Sequence, residues 1–175
     1  MTNNDCLRRL RYIFDLSDSR MMAVFDAAGL KIDREKISSW LKKDDDPDFK
    51  SCNDIMLATF LNGLINDKRG KREGEQPKAE KKLTNNIIFM KIKIALNLKA
   101  DDILALLELT NFTLSKHELS AFFRRADHKH YRQCKDQVLR NFLNGLQIKY
   151  RNTNDAQDDQ ADKVVEKAAF KWPQV

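Results

Sequence analysis

Asp127-His128-Lys129-His130 sets two imidazoles and a carboxylate within four residues, a density of donors that would suit a divalent cation. Lys129 stands between the two rings, and an ammonium there repels a cation. The matching place earlier in the chain reads Asp45-Asp46-Pro47-Asp48, without an imidazole, so the histidines read as exposed loop residues and no metal is expected. Cys52 and Cys134 are the next candidates. They lack Cys-x-x-Cys spacing, and three cysteines in all argue against a disulfide framework or a structural zinc site. Paired redox thiols are the chemical reading. Buried packing of a small apolar group is the structural one, favoured by their register with the apolar stripe that follows. Asp54 and Asp136 suit the first turn of a helix, where a carboxylate complements unpaired amides. Gly-x-Gly-x-x-Gly, Gly-x-x-x-x-Gly-Lys, Gly-x-Ser-x-Gly and His-Glu-x-x-His are all missing. The chain therefore reads as a non-enzyme that uses no cofactor.

These residues sit in a stretch that occurs twice. Cys52 to Leu64 returns as Cys134 to Leu146, 82 residues on, with Cys, Asp, Leu and all of Phe-Leu-Asn-Gly-Leu in place. The same step lays Thr2-Asn3-Asn4 on Thr84-Asn85-Asn86 without a gap, so the chain is a tandem duplication. Residues 1–66 form a first helical repeat and 86–151 a second. A charged linker at 67–85, with Gly70, Gly74 and Pro77, joins them, and a polar tail, partly helical, fills 152–175.

Four helices are expected in each repeat, and no segment alternates as a strand does. Asn4 to Leu16 aligns Leu7, Leu10, Ile13 and Phe14, and Ser17-Asp18 breaks the run. A second helix, about Ser19 to Ala28, carries Met21, Met22, Val24 and Phe25 to Gly29, a residue suited to the left-handed conformation past a helix end. Asn111, which also tolerates that conformation, stands at the equivalent place. The third helix starts at Asp33 as cap and turns Ile37, Trp40 and Leu41 inward. Its twin opens with the capping box Ser115-Lys116-His117-Glu118 and turns Leu119, Phe122 and Phe123 inward. The acidic Asp44-Asp45-Asp46-Pro47-Asp48 is a loop, and the fourth helix is the repeated motif, striped by Leu57, Phe60, Leu61 and Leu64. The fold class is thus all-α: two tandem four-helix repeats related by pseudo-twofold symmetry.

Glycine inside a helix costs about 1 kcal/mol against alanine. Asn62-Gly63 and Asn144-Gly145 repeat that cost, which implies close approach of another backbone, expected to be repeat against repeat. Cys52, Asn62, Gly63, Cys134, Asn144 and Gly145 are accordingly assigned to an inter-repeat contact.

The net charge of +6 is uneven: −1 over 1–66, +3 over 67–85, +6 over 86–151 and −2 beyond. The second repeat holds the basic character, which would attract polyanions. No apolar run approaches the roughly 18 residues that span a bilayer, so no membrane association and a cytoplasmic location are expected.

The doubled pattern Asp-x-x-x-(Phe/Tyr)-x-x-Cys-x-Asp-x-x-Leu-x-x-Phe-Leu-x-Gly-Leu, at Asp45 to Leu64 and Asp127 to Leu146, strongly resembles the bacterial YehS-like family. Trp40-Leu41-Lys42-Lys43 and Asn85-Asn86-Ile87 fit it too, and the resemblance covers nearly all of residues 1–151. The family is a domain of unknown function, so it implies a fold and no activity. More loosely, Met21-Met22-Ala23-Val24-Phe25, Gly29 and Ile32 to Trp40 look like the helix-turn-helix of the lambda-repressor-like class, with a turn longer by about two residues. That resemblance implies an outward, nucleic-acid-facing set of Arg34, Ser38 and Lys42, and in the second repeat Lys116, Ser120 and Arg124. Arg125, Lys129 and Arg132 would extend it, while Glu35, Asp44 and Asp46 would oppose phosphate. Two functions from different classes follow. One is a nucleic-acid-binding regulator that uses the basic second repeat. The other is a helical scaffold that holds a protein partner or small ligand in the groove between repeats.

Overall fold

Thr2 and Asp5 close a capping box: the Thr2 hydroxyl accepts from the Asp5 amide at 3.1 Å, and the Asp5 carboxylate accepts from the Thr2 amide at 3.0 Å. From that start the first repeat runs through α1 (Asn3–Ile13), α2 (Asp18–Ala27), α3 (Arg34–Leu41) and α4 (Asp54–Arg69). The second runs through α5 (Asn85–Ala95), α6 (Ala100–Glu108), α7 (Lys116–Ala121) and α8 (Asp136–Ala161). The computed structural model describes the backbone of residues 1–161 and the side chains of residues 1–151. Among these residues every element is helical, in two successive sets of four.

Local chemistry places the helix ends. Asp33 accepts from the Lys36 amide at 2.8 Å to start α3, and Ser115 with Glu118 forms the expected box at α7. Gly29 at φ 82° and Asn111 at φ 58° take the left-handed conformation after α2 and α6. Leu30 and Phe112 then bond back to Phe25 and Leu107, each at 3.1 Å, which satisfies carbonyls at the helix end. A second such pair is Asp15 at φ 50° and Asn97 at φ 51°. It stops α1 at Ile13 rather than Leu16, and Leu16 folds back to donate to the Arg11 carbonyl at 3.0 Å.

Residues Met1–Ala95 make one compact body and the described residues from Leu96 make another, so the division falls inside the second repeat rather than in the linker. In the first body α4 is central, packed against α2 on one side and α5 on the other. Phe25 lies 5.4 Å from Phe60 and 5.8 Å from Trp40, and all three rings are buried with Leu57, Leu61 and Leu64. In the second body α6 packs on α8 and α7, over Leu106, Leu107, Leu119, Phe142 and Leu146. Met22, Leu41 and Phe123, expected inward, are half-buried.

The glycine-bearing faces do not point where the spacing suggested. A Cβ on Gly63 would overlap the carbonyl oxygen of Val24 in α2, and one on Gly145 would overlap that of Leu106 in α6. The close approach is therefore helix four on helix two within each repeat. Asn62 does reach the other repeat: its carboxamide oxygen accepts from Lys91 of α5.

The linker is also more ordered than its composition implied. α4 continues to Arg69, Gly70 turns out at φ 84°, and residues 69–75 are exposed. From Gln76 the chain lies back on the first body. The Asn66 amide donates to Gln76 at 3.4 Å, Glu80 pairs with Lys91 at 2.9 Å, and the Leu83 amide donates to Asp54 at 2.9 Å. At the other end α8 runs past Arg151 to Ala161, where a polar tail was expected. The suggested helix over residues 163–170 and docking of Phe170 and Trp172 lie outside the described residues.

Candidate functional site

Asn4 is the buried polar centre of the first repeat. Its amide nitrogen donates to the Trp40 carbonyl at 3.0 Å and the Lys50 carbonyl at 2.9 Å, and its oxygen accepts from the Cys52 amide at 3.0 Å. One side chain thus ties α1 to the end of α3 and to both ends of the stretch leading into α4. Asn3 beside it donates to the Cys52 carbonyl at 3.1 Å and to Asp54 at 2.7 Å. Cys52, assigned to an inter-repeat contact, is instead held by these bonds inside its own repeat. Burial pushes the thiols of Cys6, Cys52 and Cys134 up to about 12, so all three stay protonated and pack as small apolar groups. The paired-redox reading is not supported, because the thiolate is the reactive form.

Asp54 serves the fold in the same way. Its bonds from Asn3 and from the Leu83 amide hold its carboxyl below the ordinary carboxylate range. A folded pKa below the unfolded one means that these bonds contribute fully above about pH 4 and are lost as pH falls through the lower folded value. Asp54→Ala is expected to cost about 1–2 kcal/mol at neutral pH. Its difference from wild type should shrink below about pH 4 in urea titrations; a pH-independent difference would show that the carboxylate is not the source.

The nine candidate nucleic-acid contacts divide between the two bodies. In the first, Arg34 is exposed but donates to Ser19 at 3.4 Å, and Ser38 and Lys42 are half-buried. The loop beside them carries Asp44, Asp45, Asp46 and Asp48, with Arg8 engaged at 3.3 Å by Asp44. In the second, Lys116, Ser120, Arg124, Arg125, Lys129 and Arg132 are all exposed on α7 and the loop that follows it. Ser120 spends its hydroxyl on the His117 carbonyl at 2.8 Å. Lys116 meets Asp101 at 3.0 Å and Arg125 meets Asp127 at 3.2 Å, both pairs largely in solvent. Such pairs are worth about 0–1 kcal/mol.

The two loops have the same backbone and opposite charge. The backbone amide of Lys50 donates to the Ser39 carbonyl at 3.0 Å, and that of its twin Arg132 donates to the Ala121 carbonyl at 3.1 Å. Across that shared scaffold the four aspartates of the first loop become Ala126, Asp127, His128 and His130. Pro47 becomes Lys129, and Lys42 and Lys43 become Arg124 and Arg125. The His128 and His130 rings lie 5.5 Å apart and exposed, and among the described residues no group of three or more ligand side chains is placed to hold a metal. No helix among the described residues is long and apolar enough to cross a membrane.

Fold and surface together define a tandem all-α repeat protein in which each copy pairs its second and third helices and presents the loop after the third. The chain belongs to the family described as "Protein of unknown function (DUF1456)", whose model matches it twice, at residues 3–70 and 85–152. It is similar to "Uncharacterized protein YehS" of Escherichia coli (strain K12), 43% identical over 147 residues, covering 83% of this chain and 94% of that protein. No solved structure matches it.

Proposed function

We propose that the chain acts by binding rather than by catalysis, as a nucleic-acid-binding regulatory protein whose contact surface is α7 and the loop to Arg132. The observation that carries this reading is the charge inversion between twin loops on one backbone scaffold. Duplication began with two equivalent surfaces. Residues 42–50 now set four aspartates against Lys42, Lys43 and Lys50, a net charge of −1; residues 124–132 expose Arg124, Arg125, Lys129 and Arg132 with a single aspartate among them, a net charge of +3. Cations clustered on an exposed turn neutralise phosphates and release counterions, which makes affinity fall steeply with salt. Helix α7 carries Lys116 and Ser120 outward beside the loop, with the exposed Glu118 carboxylate near Arg132 interrupting the basic edge.

The test is fluorescence anisotropy with mixed-sequence duplex and single-stranded pools. Binding should weaken by about tenfold or more between roughly 50 and 200 mM salt. Joint charge reversal of Arg124, Arg125, Lys129 and Arg132 to Glu should weaken it by about 100-fold or more, while reversing Arg34 and Lys42 should change it far less. Absence of binding, or binding indifferent to salt and to the four reversals, overturns the reading.

A further inference from the structure

We infer that the turn in the loop following α7 is crossed by a side-chain bond that a proton breaks, with His128 as the acceptor. The first repeat shows what the turn requires. There the Asp46 amide donates to the Lys43 carbonyl at 3.0 Å, the Phe49 amide donates to the Asp46 carbonyl at 3.0 Å, and the Asp48 amide donates to the Asp46 carboxylate at 2.8 Å. The second repeat repeats each bond: His128 to Arg125 at 2.9 Å, Tyr131 to His128 at 3.0 Å, and the His130 amide to the His128 Nδ1 at 3.0 Å. An imidazole nitrogen has taken the place of a carboxylate oxygen.

The exchange alters how the turn responds to acid. A carboxyl group that gains a proton keeps an oxygen able to accept, whereas an imidazole protonated on Nδ1 has no acceptor left. Because Nδ1 faces a backbone N–H, the single proton of the neutral ring sits on Nε2. The Arg124 guanidinium, 3.4 Å from Nε2, is then a neighbouring cation and not a donor. A second proton on the ring would place Nδ1–H against the His130 N–H, and the bond is lost. Arg124 and the second imidazole, His130, flank the ring, and the same exposed loop also carries Lys129 and Arg132. The loop's one carboxylate, Asp127, is engaged by Arg125 at 3.2 Å. Acid therefore breaks the side-chain bond across this turn while adding to its positive charge and leaving its two backbone bonds, and the twin bond at Asp46 is kept. The device does not depend on what the surface binds.

The test is a titration of the full-length chain by ¹⁵N NMR from about pH 8 to about pH 5.5, a window that spans histidine protonation. At high pH the His128 ring should show the Nε2–H tautomer. On acidification the His130 amide proton should move upfield in step with the His128 ring, while the Asp48 amide stays in place. His128→Asn supplies a carboxamide oxygen that does not titrate, and in it the His130 amide should lose the part of its excursion that follows the His128 ring, keeping only the shift its own side chain imposes. An Nδ1–H tautomer at high pH, a static His130 amide in wild type, or an equal excursion in His128→Asn overturns the inference.

Discussion

Gly63→Ala should lower the stability of the first body by about 2–4 kcal/mol, despite replacing a poor helix former with the best one. Propensity alone favours alanine by about 1 kcal/mol. Against that, the new methyl group would occupy the space of the Val24 carbonyl oxygen, with the Val24 carbonyl carbon next nearest. Overpacking costs about 1–3 kcal/mol where a flexible side chain can yield. Here the obstacle is the backbone of α2, itself pinned by Val24 and Phe25 in the core. Moving it would separate α2 from α4 and loosen the contact of Phe25 with Phe60, 5.4 Å apart by ring centroids. Gly145→Ala should act in the same way on α6 and α8, since Leu106 presents the same obstacle. Gly29→Ala is the useful contrast: open space surrounds its Cβ position and only the φ of 82° resists, so about 1 kcal/mol is expected. Urea unfolding of the three variants checks the ranking. A Gly63→Ala protein as stable as wild type would show that the helices have room to part.

Asn4→Ala should cost about 3–5 kcal/mol, a large share of the 5–15 kcal/mol that holds a typical domain together. The side chain is 2% exposed and satisfies three backbone groups at once, those of Trp40, Lys50 and Cys52. Alanine would leave two carbonyls and one amide without a partner in a place that water reaches poorly. Asn4→Asp should be no better: a carboxylate can still accept from Cys52, but it has no N–H for the two carbonyls. The loop from Lys42 to Ser51 would lose its tie to α1 through Asn4 and keep the bonds of the Lys50 amide to Ser39 and of Arg8 to the Lys42 carbonyl. Its amides should then lose protection from hydrogen exchange even in fully folded protein. Protection unchanged in Asn4→Ala would mean that the loop is held by the Lys50–Ser39 and Arg8–Lys42 bonds without Asn4.

Much of this was legible from residue types. Asp33 and the Ser115 box were readable as helix starts because capping is a bond between residues three apart. Gly29 and Asn111 were readable as stops because few residues accept a left-handed backbone, and agreement between two different residue types at one repeat position strengthens the reading. Asp15 and Asn97 are residue types that carry the same signal, but at the end of α1 the apolar spacing through Leu16 masks it by implying that the helix continues. The twin Asn3-Asn4 and Asn85-Asn86 pairs were seen as alignment marks. Their clamp role needed the loop carbonyls to be in place.

Other features had no local signature. Helical spacing shows that Gly63 lies on a tightly packed face, but not which helix packs there; α2 holds that place by crossing α4 at Val24. Charged composition made Asp67 to Leu83 read as a free linker. Lys91, on a helix further along the chain, supplies the cation that fastens Glu80, and Asp54 accepts from Leu83. Exposure of His128 and His130 was expected, yet the acceptor role of His128 depends on a turn whose closure places His130 N–H against Nδ1.

The amino-acid order alone determined that there are two copies of one helical unit and where most of their helices begin and end, because caps and left-handed stops act over three to five residues. Tertiary structure decided which faces close on each other, how the supposed linker is fastened, and that the basic residues of the second copy stand exposed on one helix and its following loop. Those outcomes depend on groups far apart in the chain, whose meeting no local spacing encodes.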